Sequence, residues 1–179
     1  MELKKPESYE ELLETQQILN ESIPKLKTEF DIILALDDEF QEWLKELPQE
    51  YNFKNWKKKE YSREKELEEL TDILFFILQL ANRLQGLNIF YRSAFKLWGN
   101  IKEKIDFSNK ELRASLIKNM KYSLYGTDDR DISSIMYDYV IICHSRNFTK
   151  KEILDKYWEK WQKDMKRPSR DWNLKEEDD

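Results

Sequence analysis

Signals for helix formation run through the whole chain, and they constrain its fold more than any other feature. Only 3 glycines and 4 prolines occur among 179 residues, which leaves few places for the tight turns of β-hairpins. A hydroxyl residue followed three positions later by glutamate, the pattern of a helix capping box, occurs at Ser8, Ser108 and Thr149. No segment alternates apolar and polar residues long enough to predict a strand. We therefore expect an all-α helical bundle.

Seven helices are predicted from the apolar spacing and from the residues that begin and end helices. They lie near residues 9–22, 26–47, 62–85, 88–99, 109–124, 129–145 and 150–166. An irregular loop, rich in aromatic and basic residues, is predicted over 48–61. The length predicts a single domain spanning 1–179.

The composition limits both the partners and the chemistry. A net charge of −5 with an acidic C-terminal end argues against nucleic acid as a partner. No apolar run is long enough for a membrane span, and the N-terminus lacks an apolar signal region, so a cytosolic location without membrane attachment is expected. The single cysteine and single histidine, Cys143 and His144, leave too few ligands for a Cys/His zinc site. Any chemistry must therefore come from carboxylates, cations and amides.

Two pairs of acids lie at the borders of apolar helix faces. At about 100° per residue, Glu39 falls about 20° outside the apolar stripe of its helix, and Glu42 lies further out on the same side. Glu69 and Asp72 border the broad apolar sector of the next helix. A carboxylate so placed is costly unless it is compensated. Because oxygen-only ligands suit Mg²⁺ or Mn²⁺, the two pairs predict a metal site at a helix–helix seam.

A simpler interpretation stays open at this point. The acid-x-x-acid pattern recurs elsewhere in this acidic chain, for example at Glu66/Glu69 and Asp128/Asp131, and such pairs are usually solvated. Pairing with Lys45 or Lys65 on the same helix, or burial at a wet seam, would also explain the acids.

The order of these residues resembles a known family. "EFQEW" followed after a gap by "ELTD" resembles the E-x-x-E … E-x-x-D signature of the all-α nucleoside triphosphate pyrophosphohydrolases, which include MazG-like enzymes and dimeric dUTPases. Three features point to the dimeric dUTPases: the amides Gln17 and Asn20 in "LLETQQILNES", the Trp/Lys loop "FKNWKKK", and the C-terminal "YWEKWQKDMKRPSRDW" with Lys160 and Arg167. The chain departs from the family where Asp164 replaces an asparagine and Pro168 a glutamine. It also departs where Phe75-Phe76 replaces a His-Phe pair.

This resemblance implies an enzyme that hydrolyses dUTP to dUMP and pyrophosphate, with dUDP as a further substrate, and so limits uracil incorporation into DNA. The implied metal ligands for Mg²⁺, or Mn²⁺ as the alternative, are Glu39, Glu42, Glu69 and Asp72. Glu39 would also orient or deprotonate the attacking water. The implied contacts to substrate are Gln17, Asn20, Lys54, Trp56, Lys57, Phe76, Lys160, Asp164 and Arg167.

The resemblance further implies a homodimer in which the segment 86–130 is variable and 168–179 is a C-terminal tail. Two alternatives remain from the sequence. The first is a pyrophosphohydrolase of the same architecture that acts on another nucleotide, such as dCTP or one with a damaged base. The second is a helical interaction protein without enzymatic activity.

Overall fold

Seven α-helices and no strand form among the residues that the computed structural model describes, which are 4–22, 28–54, 56–126 and 132–167. The all-α prediction is confirmed. In chain order the helices are α1 Tyr9–Ser22, α2 Glu29–Glu46, α3 Arg63–Arg83, α4 Asn88–Leu97, α5 Lys110–Tyr125, α6 Ile135–Ser145 and α7 Lys150–Asp164, with one 3₁₀ turn at Gln85–Leu87. The loop predicted before α3 is irregular in its described part.

Two of the three predicted capping boxes are confirmed. Before α1, the Glu11 amide donates to the Ser8 hydroxyl and the Ser8 amide donates to the Glu11 carboxylate, each at 3.1 Å. Thr149 and Glu152 make the same reciprocal pair before α7. Each box satisfies amides that the first helical turn leaves without partners.

The third predicted box, at Ser108, is wrong. Asp106 accepts hydrogen bonds from both the amide and the hydroxyl of Ser108, at 2.9 and 2.6 Å. Asn109 then caps α5 by accepting from the Glu111 and Leu112 amides. A carboxylate two residues earlier thus removes the hydroxyl from the capping position.

The long helix α3 lies at the centre of the fold. It packs against α1, α2 and α7, and its contact with α2 is the most extensive between any two of the described helices. One continuous apolar core joins them, with Leu36, Phe40 and Trp43 from α2 and with Leu70, Ile73, Leu74 and Ile77 from α3. This arrangement sets the acidic border of α2 directly against that of α3.

The helix α4 lies in the variable segment and has two apolar faces. Tyr91 and Phe95 are buried in the core, whereas Ile89, Phe90 and Leu97 are about half or more exposed. Its inner face is therefore a core element, and its outer face presents apolar surface. Among the described residues, no helix combines the length and apolar character needed to cross a membrane.

Candidate active site

The helices α2 and α3 run antiparallel, and this direction decides which acids meet. Trp43 on α2 contacts Glu66 on α3, while Glu39, one turn earlier on α2, lies beside Glu69, one turn later on α3. Because the helices are antiparallel, residues earlier in α2 lie beside residues later in α3. The i, i+3 spacing then places Asp72 on the same side of α3 as Glu69.

Three of the four predicted metal ligands come together at this seam. One carboxylate oxygen from each of Glu39, Glu69 and Asp72 lies within 4.8 Å of the others. All three residues are partly buried. The donor set consists of oxygen atoms alone, which is the chemistry that Mg²⁺ and Mn²⁺ prefer. The cluster fits such an ion, with Glu39 approaching from one helix and the other two from the facing helix.

The electrostatics show that these carboxylates repel one another. Burial, reinforced by the negative charges of Asp72 and Glu69, raises the pKa of Glu39 to about 7. Burial and the charge of Asp72 likewise raise the pKa of Glu69 to about 7. Burial also raises the pKa of Asp72, against the opposing effect of Lys160. A bound divalent cation would stabilise the ionised forms of all three.

The fourth predicted ligand, Glu42, does not join the cluster. Its carboxylate pairs with Lys45, three residues along the same helix. This is the intrahelical pairing that the sequence left open as an alternative, and it holds for Glu42 alone. The carboxylate nevertheless stays close enough to contribute to the raised pKa of Glu69.

Of the two predicted C-terminal cations, Lys160 contacts the cluster and Arg167 pairs with Asp164. The Lys160 ammonium contacts the Asp72 carboxylate directly, so α7 delivers one cation to the cluster. Asp164, one turn further on, adds negative charge that raises the pKa of Asp72. Arg167 lies 3.7 Å from Asp164, so the acid in the family's asparagine position pairs with the neighbouring cation. Pro168 lies outside the described residues.

The two predicted uracil-binding amides do not face each other. Gln17 is exposed and donates to Glu21 at 2.9 Å. The neighbouring Gln16 is buried, and its amide donates to Asn20 at 2.9 Å. Tyr157 of α7 donates to the other end of the Gln16 amide at 3.0 Å. Sequence reasoning passed over Gln16, although it lies four residues after Leu12 on the apolar face of α1.

The predicted aromatic contacts differ in burial. Phe76 is partly buried and packs against the core. Its neighbour Phe75 is buried and stacks on Tyr157 with ring centroids 4.4 Å apart. Trp56 is 71% exposed, so its indole has no core role and is available to a ligand.

The loop between α2 and α3 forms a basic concavity. Lys54 and Lys57 line a cavity of about 340 Å³ together with Lys45, Lys58 and Lys59. Glu46 lines it too and pairs with Lys59. This concentration of lysines beside the acidic seam suits a polyanionic ligand such as a phosphate chain.

Comparison with known proteins identifies the family of the chain. The sequence profile of the dUTPase family matches residues 8–172, which is nearly the whole chain. The chain belongs to the all-α dUTPase family. No curated protein matches it.

Membership of the dUTPase family assigns dUTP hydrolysis to the chain and fits placement in the MazG-like superfamily. The family assignment decides against a helical interaction protein without activity. It also favours dUTP over the other nucleotides that the sequence left open.

Proposed function

We propose that this dUTPase hydrolyses dUTP to dUMP and pyrophosphate with Mg²⁺, or with Mn²⁺ as the alternative, and so limits uracil incorporation into DNA. dUDP is proposed as a second substrate. The observation that supports the metal dependence is the cluster of Glu39, Glu69 and Asp72, three converging carboxylates. Within the part of the chain that the structure describes, one cation contacts this cluster, Lys160 at Asp72. Such a site attracts a divalent cation more strongly than it holds a lysine.

Glu39, Glu69 and Asp72 would hold the metal. Glu42 would complete the set after its carboxylate leaves Lys45, a partly exposed pair that is inexpensive to break. The ion supplies Lewis-acid stabilisation of the charge that develops on the phosphate oxygens. Glu39 is also proposed to orient or deprotonate the attacking water, because it is the one member of the cluster that comes from α2 and faces the other two.

Cations on two sides of the seam would bind the phosphate chain. Lys160 already lies at the cluster, and Arg167 follows just after the end of the same helix. Lys54 and Lys57 approach from the basic concavity. Together they would neutralise negative charge on the substrate and on the departing pyrophosphate. Asp164 would act by holding Arg167.

Amides on α1 are proposed to recognise uracil. An amide pair offers both a donor and an acceptor to the alternating polar edge of the base. Asn20 keeps this role from the sequence prediction, and the contacts favour Gln16 over Gln17 as its partner, because Gln16 is buried and bonded to Asn20. Phe76 and Trp56 would pack against the base or the sugar.

Pyrophosphate release from a panel of nucleotides, with and without Mg²⁺, tests the proposal. We expect dUTP to be cleaved far faster than dCTP or dTTP, because a site that bonds the uracil edge leaves polar groups unpaired with another base. Equal cleavage of dCTP, or full activity in EDTA, would contradict it.

The adjacent glutamines provide a matched pair of variants for the base site. Gln16→Ala should lower kcat/KM for dUTP by about tenfold or more, as expected when a buried hydrogen-bond partner is lost. Gln17→Ala should change it less than about twofold. A larger effect in Gln17→Ala than in Gln16→Ala would favour Gln17, the residue that the sequence predicts.

A homodimer in the cytosol completes the proposal. The outer face of α4, with Ile89, Phe90 and Leu97 exposed, is apolar surface of the kind that marks an interface. Phe90→Glu should therefore convert a dimer to a monomer in size-exclusion chromatography with light scattering. Phe30→Glu, at another exposed aromatic residue, is the matched control.

A further inference from the structure

The buried carboxylate of Glu66 has no role in the chemistry proposed above. It lies on α3, one turn before Glu69, and is fully buried. Arg146 donates two hydrogen bonds to it, from Nε to Oε1 at 2.7 Å and from Nη2 to Oε2 at 2.9 Å. Trp43 Nε1 donates to Oε1 at 3.2 Å, and the Tyr61 hydroxyl donates to Oε2 at 2.9 Å. Four hydrogen bonds thus meet at one carboxylate.

Arg146 is itself held tightly at the end of α6. Its side chain is 10% exposed, and its guanidinium lies 5.0 Å from the ring centroid of Phe107 and 5.4 Å from that of Tyr51. Burial opposes the charged form of Arg146, but its bonds to Glu66 raise its pKa above the usual value. The guanidinium therefore remains a fixed cation inside the protein.

These contacts join every element that carries the acidic site and its basic loop. Trp43 belongs to α2 and follows Glu39 by one turn on the same face. Glu66 belongs to α3 and precedes Glu69 by one turn. Tyr51 and Tyr61 lie near the two ends of the loop that carries the basic concavity. The Trp43–Glu66 contact therefore lies one helical turn along the α2–α3 seam from the Glu39–Glu69 contact.

We propose that Glu66 and Arg146 are positioning residues for the metal-binding cluster. Arg146 holds the Glu66 carboxylate in place, and the hydrogen bond that Trp43 donates to this carboxylate fixes the axial register of α2 against α3. The Glu39 carboxylate then faces Glu69 and Asp72. This inference rests on the proposed metal-dependent function and adds to it two residues that contact neither the metal nor the substrate.

The chemistry of the pair supports a role in register rather than in stability alone. Aliphatic side chains could fill the same volume at equal or greater stability, because burying charges is costly. Packed aliphatic side chains, however, tolerate small shifts of one helix along the other. The Trp43 indole can bond a carboxylate that Arg146 holds in place in only one alignment of α2 and α3. Fixing register is the best-attested use of buried polar groups. A shift of even 1 Å would disturb a cluster whose oxygen atoms lie within 4.8 Å.

Binding of Mn²⁺ in the absence of nucleotide tests the proposal, with calorimetry or Mn²⁺ paramagnetic resonance as the readout. Trp43→Phe removes the α2 hydrogen bond but keeps the ion pair, and Glu66→Gln removes the charge. Tyr91→Phe is the matched control, because it removes one hydrogen bond of a fully buried aromatic residue, from Tyr91 to the Ile132 carbonyl, away from the seam. All three variants should lose some thermal stability.

We expect Trp43→Phe and Glu66→Gln to raise the Kd for Mn²⁺ by about tenfold, the equivalent of one lost hydrogen bond to a charged group. Tyr91→Phe should leave the Kd within about twofold. Saturating Mn²⁺ should largely rescue dUTP turnover in Trp43→Phe, since the ligands themselves are intact. If Glu66→Gln does not fold, Trp43→Phe decides the result.

The outcomes separate the two proposals. Wild-type affinity for Mn²⁺ in Trp43→Phe overturns the positioning role and leaves the proposed function standing. An equal loss of affinity in Tyr91→Phe also overturns it, because general destabilisation would then explain the effect. A wild-type protein that binds no Mn²⁺ overturns both.

Discussion

Two neighbouring turns of the α2–α3 seam contain buried or partly buried carboxylates, but they differ in how far other protein groups compensate the negative charge. In the turn that contains Glu66, one fully buried carboxylate receives four hydrogen bonds, two of them from a guanidinium. In the next turn, the carboxylates of Glu39, Glu69 and Asp72 converge, and the one ammonium that contacts them among the described residues, that of Lys160, bonds Asp72. The first turn is electrically complete within the described residues, whereas the second carries uncompensated negative charge.

This difference separates an acid with protein partners from the acids that we propose bind the metal. Burial by itself does not, because Glu66 is the most buried of the four. The two kinds of acid differ in their compensating partners. A carboxylate that is fully hydrogen-bonded within the protein gains nothing from a ligand. Carboxylates that repel one another are stabilised by a bound cation. Burial, reinforced by the neighbouring negative charges, raises the pKa of Glu39 and of Glu69 to about 7.

The largest expected effect is on activity, at the uncompensated turn. Glu39→Ala should lower Mg²⁺-dependent dUTP hydrolysis by about 10³-fold or more, because metal ions supply several kcal/mol of transition-state stabilisation. The helical circular dichroism signal should be unchanged. Asp38→Ala, at the exposed neighbour, is the control and should retain activity. Pyrophosphate release at the wild-type rate by Glu39→Ala would contradict the proposed metal-binding role of Glu39.

The complementary effect is on stability, at the compensated turn. Glu66→Ala should lower the free energy of unfolding by about 3–5 kcal/mol, because it leaves the buried guanidinium of Arg146 without its partner. Glu64→Ala, at a side chain that is 78% exposed on the same helix, should change it by less than about 0.5 kcal/mol. Urea denaturation measures both. A loss below about 1 kcal/mol in Glu66→Ala would mean that the turn is not stabilised by its ion pair.

The sequence predicted one of these turns and missed the other for a physical reason. Glu39, Glu69 and Asp72 could be found because their spacing and their place on the helix faces are local properties of α2 and α3. Glu66 belongs to a recurring acid-x-x-acid pattern, and local spacing does not distinguish it from the solvated acids of that pattern. Its partner Arg146 lies 80 positions away, and only the tertiary fold brings them together.

The choice between Gln16 and Gln17 meets a similar limit. Gln16 and Gln17 are chemically identical, so composition could not separate them. The helical period could have done so, since Gln16 follows Tyr9 by seven residues and Leu12 by four on the buried face of α1. The helices themselves were predictable to within a few residues where described, because their capping and apolar spacing are encoded locally.

The pH dependence of stability should also distinguish the turns. A carboxyl group with a raised folded-state pKa binds protons more tightly when folded, so its stabilising contribution is lost as pH rises. For Glu39 and Glu69 this loss spans the ordinary value of 4.5 to about 7. The melting temperature of the metal-free protein should therefore fall between about pH 5 and 8, and Mg²⁺ should restore it at pH 8.

The double variant Glu39→Gln/Glu69→Gln is the control for this titration. Its melting temperature should vary less over the same range, because the two groups that change protonation are gone. Unlike the wild type, it should gain no stability from Mg²⁺ at pH 8. An unchanged pH slope in the double variant would assign the titration to groups outside the seam.

The smallest expected effect concerns Glu42. Its carboxylate pairs with Lys45, so it is neither bonded to Arg146 as Glu66 is nor part of the converging cluster. Both side chains of this pair are one-third or more exposed, so Lys45→Met should change the unfolding free energy by less than about 1 kcal/mol. If Glu42 joins the metal ligands during turnover, releasing it should lower the Mg²⁺ concentration for half-maximal dUTP hydrolysis by about two- to fivefold, the equivalent of about 0.4–1 kcal/mol. Lys65→Met, at an exposed lysine on α3, is the control and should leave the Mg²⁺ requirement unchanged. An unchanged requirement in Lys45→Met would confine the metal site to the three converging carboxylates.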